Sequence, residues 1–175
     1  MAWLDHNRLI EFQGVEQVFD PTQIGRNPNF VAVFRARKVD LLGRIAFSVG
    51  KGNISSGPGE GADLFTGTEI SAGGRTVFGL PSRNPQGGPN ILVMLRDLRN
   101  QFHMRESIDV VVTEYGIANL KWRTIRERAQ ALVDIAHPDD RQKLVEQAKK
   151  KKILFSDQIF LSESARLYPM EITTE

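Results

Sequence analysis

The chain has 175 residues, 41% hydrophobic and 25% charged, with no cysteine and a formal net charge of +2. That length and balance fit one globular domain with a real core and exclude a disordered chain. Without cysteine, disulfides, thiolate metal sites and a cysteine nucleophile are excluded, which favours the cytoplasm.

Residues 3–19 are amphipathic and show no signal peptide, and no apolar run approaches the ~20 residues that span a bilayer. Asp20-Pro21 and Asn27-Pro28 read as turns. Phe30 to Phe34 reads as a strand; Val39 to Leu42, Gly43-Arg44 and Ile45 to Val49 read as a hairpin. From Gly50 to Gly61, five of twelve residues are glycine: Gly50, Gly52, Gly57, Gly59 and Gly61. A short helix is expected from Asp63 to Ala72, closed by Gly73-Gly74, followed by strands at Arg75 to Leu80 and Ile91 to Leu95. Asp109 to Thr113, with three consecutive valines, suits a central strand buried on both faces. Glu114, Tyr115 and Gly116 then read as a loop.

Thr124 and Glu127 have the spacing of a capping box, and Ile125, Ala129, Leu132, Val133 and Ala136 recur at helical spacing on one face. His137-Pro138 ends that helix and opens another that runs to about Lys151, with Asp139 and Asp140 at its positive end. His137 reads as a residue of a helix end, where a cationic imidazole is favoured. The basic block Lys149 to Lys152 reads as a solvated helix end, so a nucleic-acid partner is not expected, nor is a membrane. Strands first and helices last imply an open mixed α/β sheet with flanking helices.

The glycine-rich stretch is the leading candidate for chemistry. Glycine costs about 0.5–1 kcal/mol more to order than alanine, which a backbone that presents N–H groups to an anion would offset. A plain strand-to-helix connection is the competing reading. The spacing of Gly57, Gly59 and Gly61 is not the dinucleotide fingerprint, and no Gly-Lys-Ser/Thr completes a P-loop. Glu114, just past a buried strand, is a second candidate, as a nucleophile or base, or as a turn cap or partner of an arginine. His6, His103 and His137 form no metal spacing, and Ser55, Ser56 and Ser82 lack a nucleophile-elbow setting.

Several stretches together resemble the C-terminal domain of the acetyl-CoA hydrolase/transferase family. They are Val111 to Leu120 (VVTEYGIANL), Arg126-Glu127-Arg128-Ala129, Ala136-His137-Pro138-Asp139, Val39-Asp40-Leu41-Leu42-Gly43, and Gly73-Gly74-Arg75 with Leu80-Pro81-Ser82. The likeness covers most of residues 27–150. It implies a CoA-transferase-like fold over residues 1–152, with 153–175 as a tail or linker to a missing domain; in some longer members of the family such a linker leads to an acetyltransferase-like domain.

The resemblance also implies a reaction. A glutamate attacks an acyl-CoA thioester to give an acyl-glutamyl anhydride, CoA then attacks the glutamyl carbonyl to give a glutamyl-CoA thioester as the first carboxylate leaves, and a second carboxylate takes the CoA by the reverse steps. Coenzyme A or acyl-CoA is then a substrate, a small carboxylate is the acceptor, and no tightly bound cofactor or metal is expected. The family's glycine loop stabilises the oxyanion, which assigns Ser56, Gly57, Gly59, Glu60 and Gly61 to the thioester. Two departures stand out. Nothing before Asn27 resembles the segment with the family's nucleophile, and Glu11 and Glu16 lie in another context, so no residue here is assigned as catalytic and the partner is the missing N-terminal half. Glu60 also stands where the family has a glycine, which leaves open a non-catalytic acyl-CoA-binding or assembly module. Homo-oligomerisation is left open.

Overall fold

The computed structural model describes residues 7, 9–46, 61–95, 101–102 and 108–158. Two four-stranded mixed sheets form the frame. The first has the order β1 (Val31–Arg35), β4 (Arg75–Gly79), β7 (Val110–Thr113), β8 (Gly116–Asn119), with the first three parallel and β8 antiparallel. The second has the order β5 (Ile91–Leu92), β2 (Lys38–Asp40), β3 (Ile45–Ala46), β6 (Gln101–Phe102). The expected open mixed sheet with flanking helices is therefore present as two sheets, and the expected 39–49 hairpin is the antiparallel pair β2–β3 as far as Ala46; residues 47–49 lie outside the described set.

The parallel pairing of β1 with β4 requires a crossover, and α3 (Gly61–Ile70) supplies it. Its Phe65 is fully buried, with its ring centroid 4.7 Å from that of Phe34 and 5.9 Å from that of Phe78. By register Phe34, Phe78, Val111 and Ala118 share one face of the sheet. That face joins one core with Leu132, Ile135 and Ala148 of the C-terminal helical region. The other face leaves Val31, Val33 and Ile117 between 50% and 71% exposed.

α2 (Pro21–Gly25) packs on α3 where each helix offers the other a glycine: a Cβ on Gly25 would collide with Ile70, and one on Gly67 with Ile24. Asp20-Pro21, expected as a turn, instead opens α2: the Asp20 carboxylate accepts from Thr22 N at 2.8 Å and Pro21 takes the first helical position. Ahead of it lies the short α1 (Val15–Val18). α4 (Ile125–Asp134) and α5 (Pro138–Lys150) follow the last strand. Ile125, expected on the buried face of α4, is 49% exposed at the first position of the helix; Ala129, Leu132, Val133 and Ala136 are buried as expected. Lys150, Lys151 and Lys152 are exposed. Beyond them Ile153 and Leu154 turn back into the core. Among the described residues no helix is long and apolar enough to cross a membrane.

Candidate functional site at the carboxyl end of the first sheet

The direction of α3 defines which end of the sheet its glycine-led start faces. After α3, Ser71 Oγ donates to Asn27 O at 2.6 Å and accepts from Phe30 N at 3.1 Å, just ahead of β1. Phe65, nearer the start of α3, lies against the later residues of β1 and β4. The helix thus runs antiparallel to the strands, and Gly61 projects toward their carboxyl ends, where open α/β sheets bind ligands. Of the five residues expected at the thioester, Gly61 is the first residue of α3. Ser56, Gly57, Gly59 and Glu60 lie outside the described residues.

At that same end the chain brings together three stretches that are far apart in sequence. Leu80-Pro81-Ser82 leaves β4, and Leu80 N donates to Val112 O across to β7. Ser82 is buried, and its amide donates to the Glu114 carboxylate at 2.9 Å and its hydroxyl at 2.5 Å. Desolvation at the Ser82 contact opposes ionisation of the otherwise exposed Glu114, but the two hydrogen bonds from Ser82 outweigh it and, with His137 nearby, hold its carboxyl below the usual range. Glu114 is therefore an anionic anchor. A carboxylate of lowered basicity is a weak base, and the hydrogen bond that Ser82 Oγ donates to it leaves that hydroxyl's lone pairs available. The sequence left Glu114 open as a nucleophile or base, a turn cap or the partner of an arginine; the structure pairs it with Ser82.

Tyr115, beside Glu114, meets the His137 ring edge-on with centroids 5.3 Å apart, and the Arg141 guanidinium lies 5.8 Å from its ring centre. His137 caps α5 by accepting from Asp139 N at Nδ1, 3.3 Å away. The sequence reading placed His137 at a helix end; the structure makes it the N-cap of α5. Arg83 grips Asp140 through Nε and Nη2, both at 2.9 Å, and this bond is the chief reason the Asp140 carboxyl titrates below its usual range.

Two cavities flank the sheet at opposite ends. The larger, about 560 Å³, lies at the amino end and is lined by Thr68, Thr76, Asp109, Lys121, Trp122 and Arg123, remote from the cluster just described. There Asp109 accepts from Thr76 N at 3.0 Å and pairs with Lys121 at 3.2 Å, so its polar groups serve to join β4 to β7. The smaller, about 390 Å³, adjoins the carboxyl end, and Arg35, Arg37, Lys38, Pro81, Asn84 and Asn90 line it. Sequence reasoning did not single out this basic set. The signal was three cations within the four residues from Arg35 to Lys38, at the end of a predicted strand. Among the described residues no group of three or more histidine, aspartate or glutamate side chains is arranged to hold a metal ion.

The chain matches the acetyl-CoA hydrolase/transferase C-terminal domain over residues 1–148. It is 36% identical over 151 residues to a 4-hydroxybutyrate coenzyme A transferase of Clostridium kluyveri, a match covering 85% of this chain and 35% of that protein. It is also 36% identical over 150 residues to a succinyl-CoA:cyclohexane-1-carboxylate CoA transferase of Geobacter metallireducens, covering 85% and 34%. Among solved structures, RipA from Yersinia pestis superposes with a TM-score of 0.74 at 29% identity, covering 87% of this chain and 33% of that one. The chain spans about a third of the length of the curated relatives it matches. With the family model matching residues 1–148 and a solved relative superposing on the fold, this chain belongs to the acetyl-CoA hydrolase/transferase C-terminal domain family.

Proposed function

We propose that the chain is the C-terminal part of an acyl-CoA:carboxylate CoA-transferase or acetyl-CoA hydrolase and that its glycine stretch, Ser56, Gly57, Gly59, Glu60 and Gly61, faces the thioester. The observation that carries the reading is the convergence on the carboxyl end of the sheet: the start of α3 projects to the side where Ser82 holds the Glu114 carboxylate. Backbone N–H groups from a glycine stretch at a helix start suit a developing oxyanion. Ser82 and Glu114 supply a fixed polar wall beside it. A small carboxylate is the acceptor in the transferase reading and water in the hydrolase reading. The nucleophile belongs to the missing N-terminal half, so the chain by itself binds and orients rather than reacts. Acyl-CoA is a substrate in this scheme, with no resident cofactor, and the cytoplasm is the compartment where it would act.

Glu60, standing where the family has a glycine, favours a second reading, a non-catalytic acyl-CoA-binding or assembly module. The parent reading frame separates the two: an upstream half with its glutamate in place supports the enzyme, and its absence supports the module. The binding claim common to both is tested by saturation-transfer NMR of the chain with coenzyme A. Transfer to the pantetheine protons that disappears in Gly59→Val is the expected result. Equal transfer in both proteins overturns the assignment of the loop.

A further inference from the structure

The cavity of about 390 Å³ beside the candidate site has an unusual charge pattern. Arg35 ends β1, Arg37 lies in the link to β2, and Lys38 begins β2, so one short stretch turns three cations toward one space. None of the three takes part in an ion pair among the described residues, and no carboxylate lines the cavity. The remaining walls are neutral and polar or are prolines: Pro81, Asn84, Pro85, Gln86 and Asn90.

The cluster is held in place. Lys38 Nζ donates to Pro89 O at 2.8 Å, which pins the ammonium against the opposite loop. Asn90 Nδ2 donates to Pro81 O at 2.9 Å and Asn90 N to Ser82 O at 2.8 Å, so the cavity wall is continuous with the loop that holds Glu114. Asn84 Oδ1 accepts from the amides of Gln86 and Gly88, each at 3.0 Å, which leaves its NH₂ group to donate. Burial first and the neighbouring Arg37 second both act against the charge on Lys38, a cost that an incoming anion relieves. Two guanidinium groups and an ammonium without a counter-ion suit a multiply charged phosphoryl group better than a single carboxylate. The volume falls in the ordinary range for small-molecule pockets and exceeds what one acetate would fill.

We propose that Arg35, Arg37 and Lys38 form an anion subsite for the phosphoryl groups of a nucleotide, the 3′-phospho-ADP end of coenzyme A, with Glu114 and Ser82 on the thioester side. This rests on the function proposed above and adds to it the grip on the end of the substrate remote from the chemistry. Such a grip supplies binding energy that orients the reacting end.

The test is isothermal titration of the full chain with adenosine 3′,5′-bisphosphate, coenzyme A and inorganic phosphate. The proteins compared are the wild type, R35Q/R37Q and the charge-keeping R35K/R37K, with circular dichroism confirming the fold of each. The double glutamine variant is expected to bind the bisphosphate and coenzyme A about tenfold or more weakly, as befits lost charge-assisted hydrogen bonds, with R35K/R37K between the two. Equal affinity of wild type and R35Q/R37Q for both ligands, or no binding of the bisphosphate by the wild type, overturns the subsite. Inorganic phosphate binding as tightly as the bisphosphate overturns the nucleotide assignment. Arginine-dependent binding of the bisphosphate without saturation transfer to pantetheine leaves the subsite standing and removes the thioester role proposed for the loop.

Discussion

Asp40 has no solvent exposure, and both of its carboxylate oxygens are engaged by hydrogen-bond donors. Its Oδ1 accepts from the amides of Leu42 and Arg44, at 3.1 and 3.0 Å, and its Oδ2 from Leu95 N at 2.9 Å and Arg44 Nε at 2.7 Å. These bonds close the turn between β2 and β3, where Gly43 takes φ +80°, and tie that turn to the strand region around Ile91. The Asp-x-x-Gly motif is thus a structural joint. Asp40→Ala leaves Arg44 half-buried and three amides without their acceptor, so urea denaturation is expected to show a loss of about 3–5 kcal/mol. Glu114 belongs to the same scale. Its folded-state carboxyl titrates below the ordinary 4.5, so the native state favours the ionised form and the resulting stability is present in full above that pH. It is lost as acidification protonates the folded carboxylate. Thermal melts below pH 4.5 should therefore fall less steeply for Glu114→Gln than for the wild type; parallel profiles would deny the Ser82 anchor.

At the scale of elements, local chemistry that depends on near neighbours is legible in the sequence. The Thr124–Glu127 capping box is present in both directions: Glu127 N donates to Thr124 Oγ1 at 3.4 Å and Thr124 N to Glu127 Oε2 at 2.8 Å. Thr124→Ala should cost about 1 kcal/mol in a denaturation experiment, with α4 still formed because its buried face persists. β7 was readable from its run of valines, and the structure pairs it on both sides. β8 was not. Glu114 and Tyr115 form a two-residue turn, Thr113 pairs directly with Gly116, and only four residues follow, too few for alternation to register against the glycine at their head. Asp20-Pro21 carried the signature of both a turn and a helix start. What decided between them was tertiary, the close glycine-to-isoleucine contact of α2 with α3.

For the whole molecule, the two sheets and the antiparallel α3 sort the family motifs by place. The Thr-Glu-Tyr-Gly, Leu-Pro-Ser and Ala-His-Pro-Asp stretches gather at the carboxyl end of the first sheet, although Ser82 and Glu114 are 32 residues apart. Sequence order indicated which residues mattered. Their convergence, and the basic cavity beside them, depend on long-range packing that no local pattern encodes. The larger cavity is at the amino end, which makes location the decisive observable. The most direct measurement is amide chemical-shift mapping of the ¹⁵N-labelled chain during titration with coenzyme A. Shifts concentrated at Gly61, Ser82 and Glu114 and along Arg35 to Lys38, with Thr76, Lys121 and Arg123 unmoved, are the predicted result. Shifts concentrated instead around Thr76, Lys121 and Arg123 would put the ligand at the amino end and contradict the account.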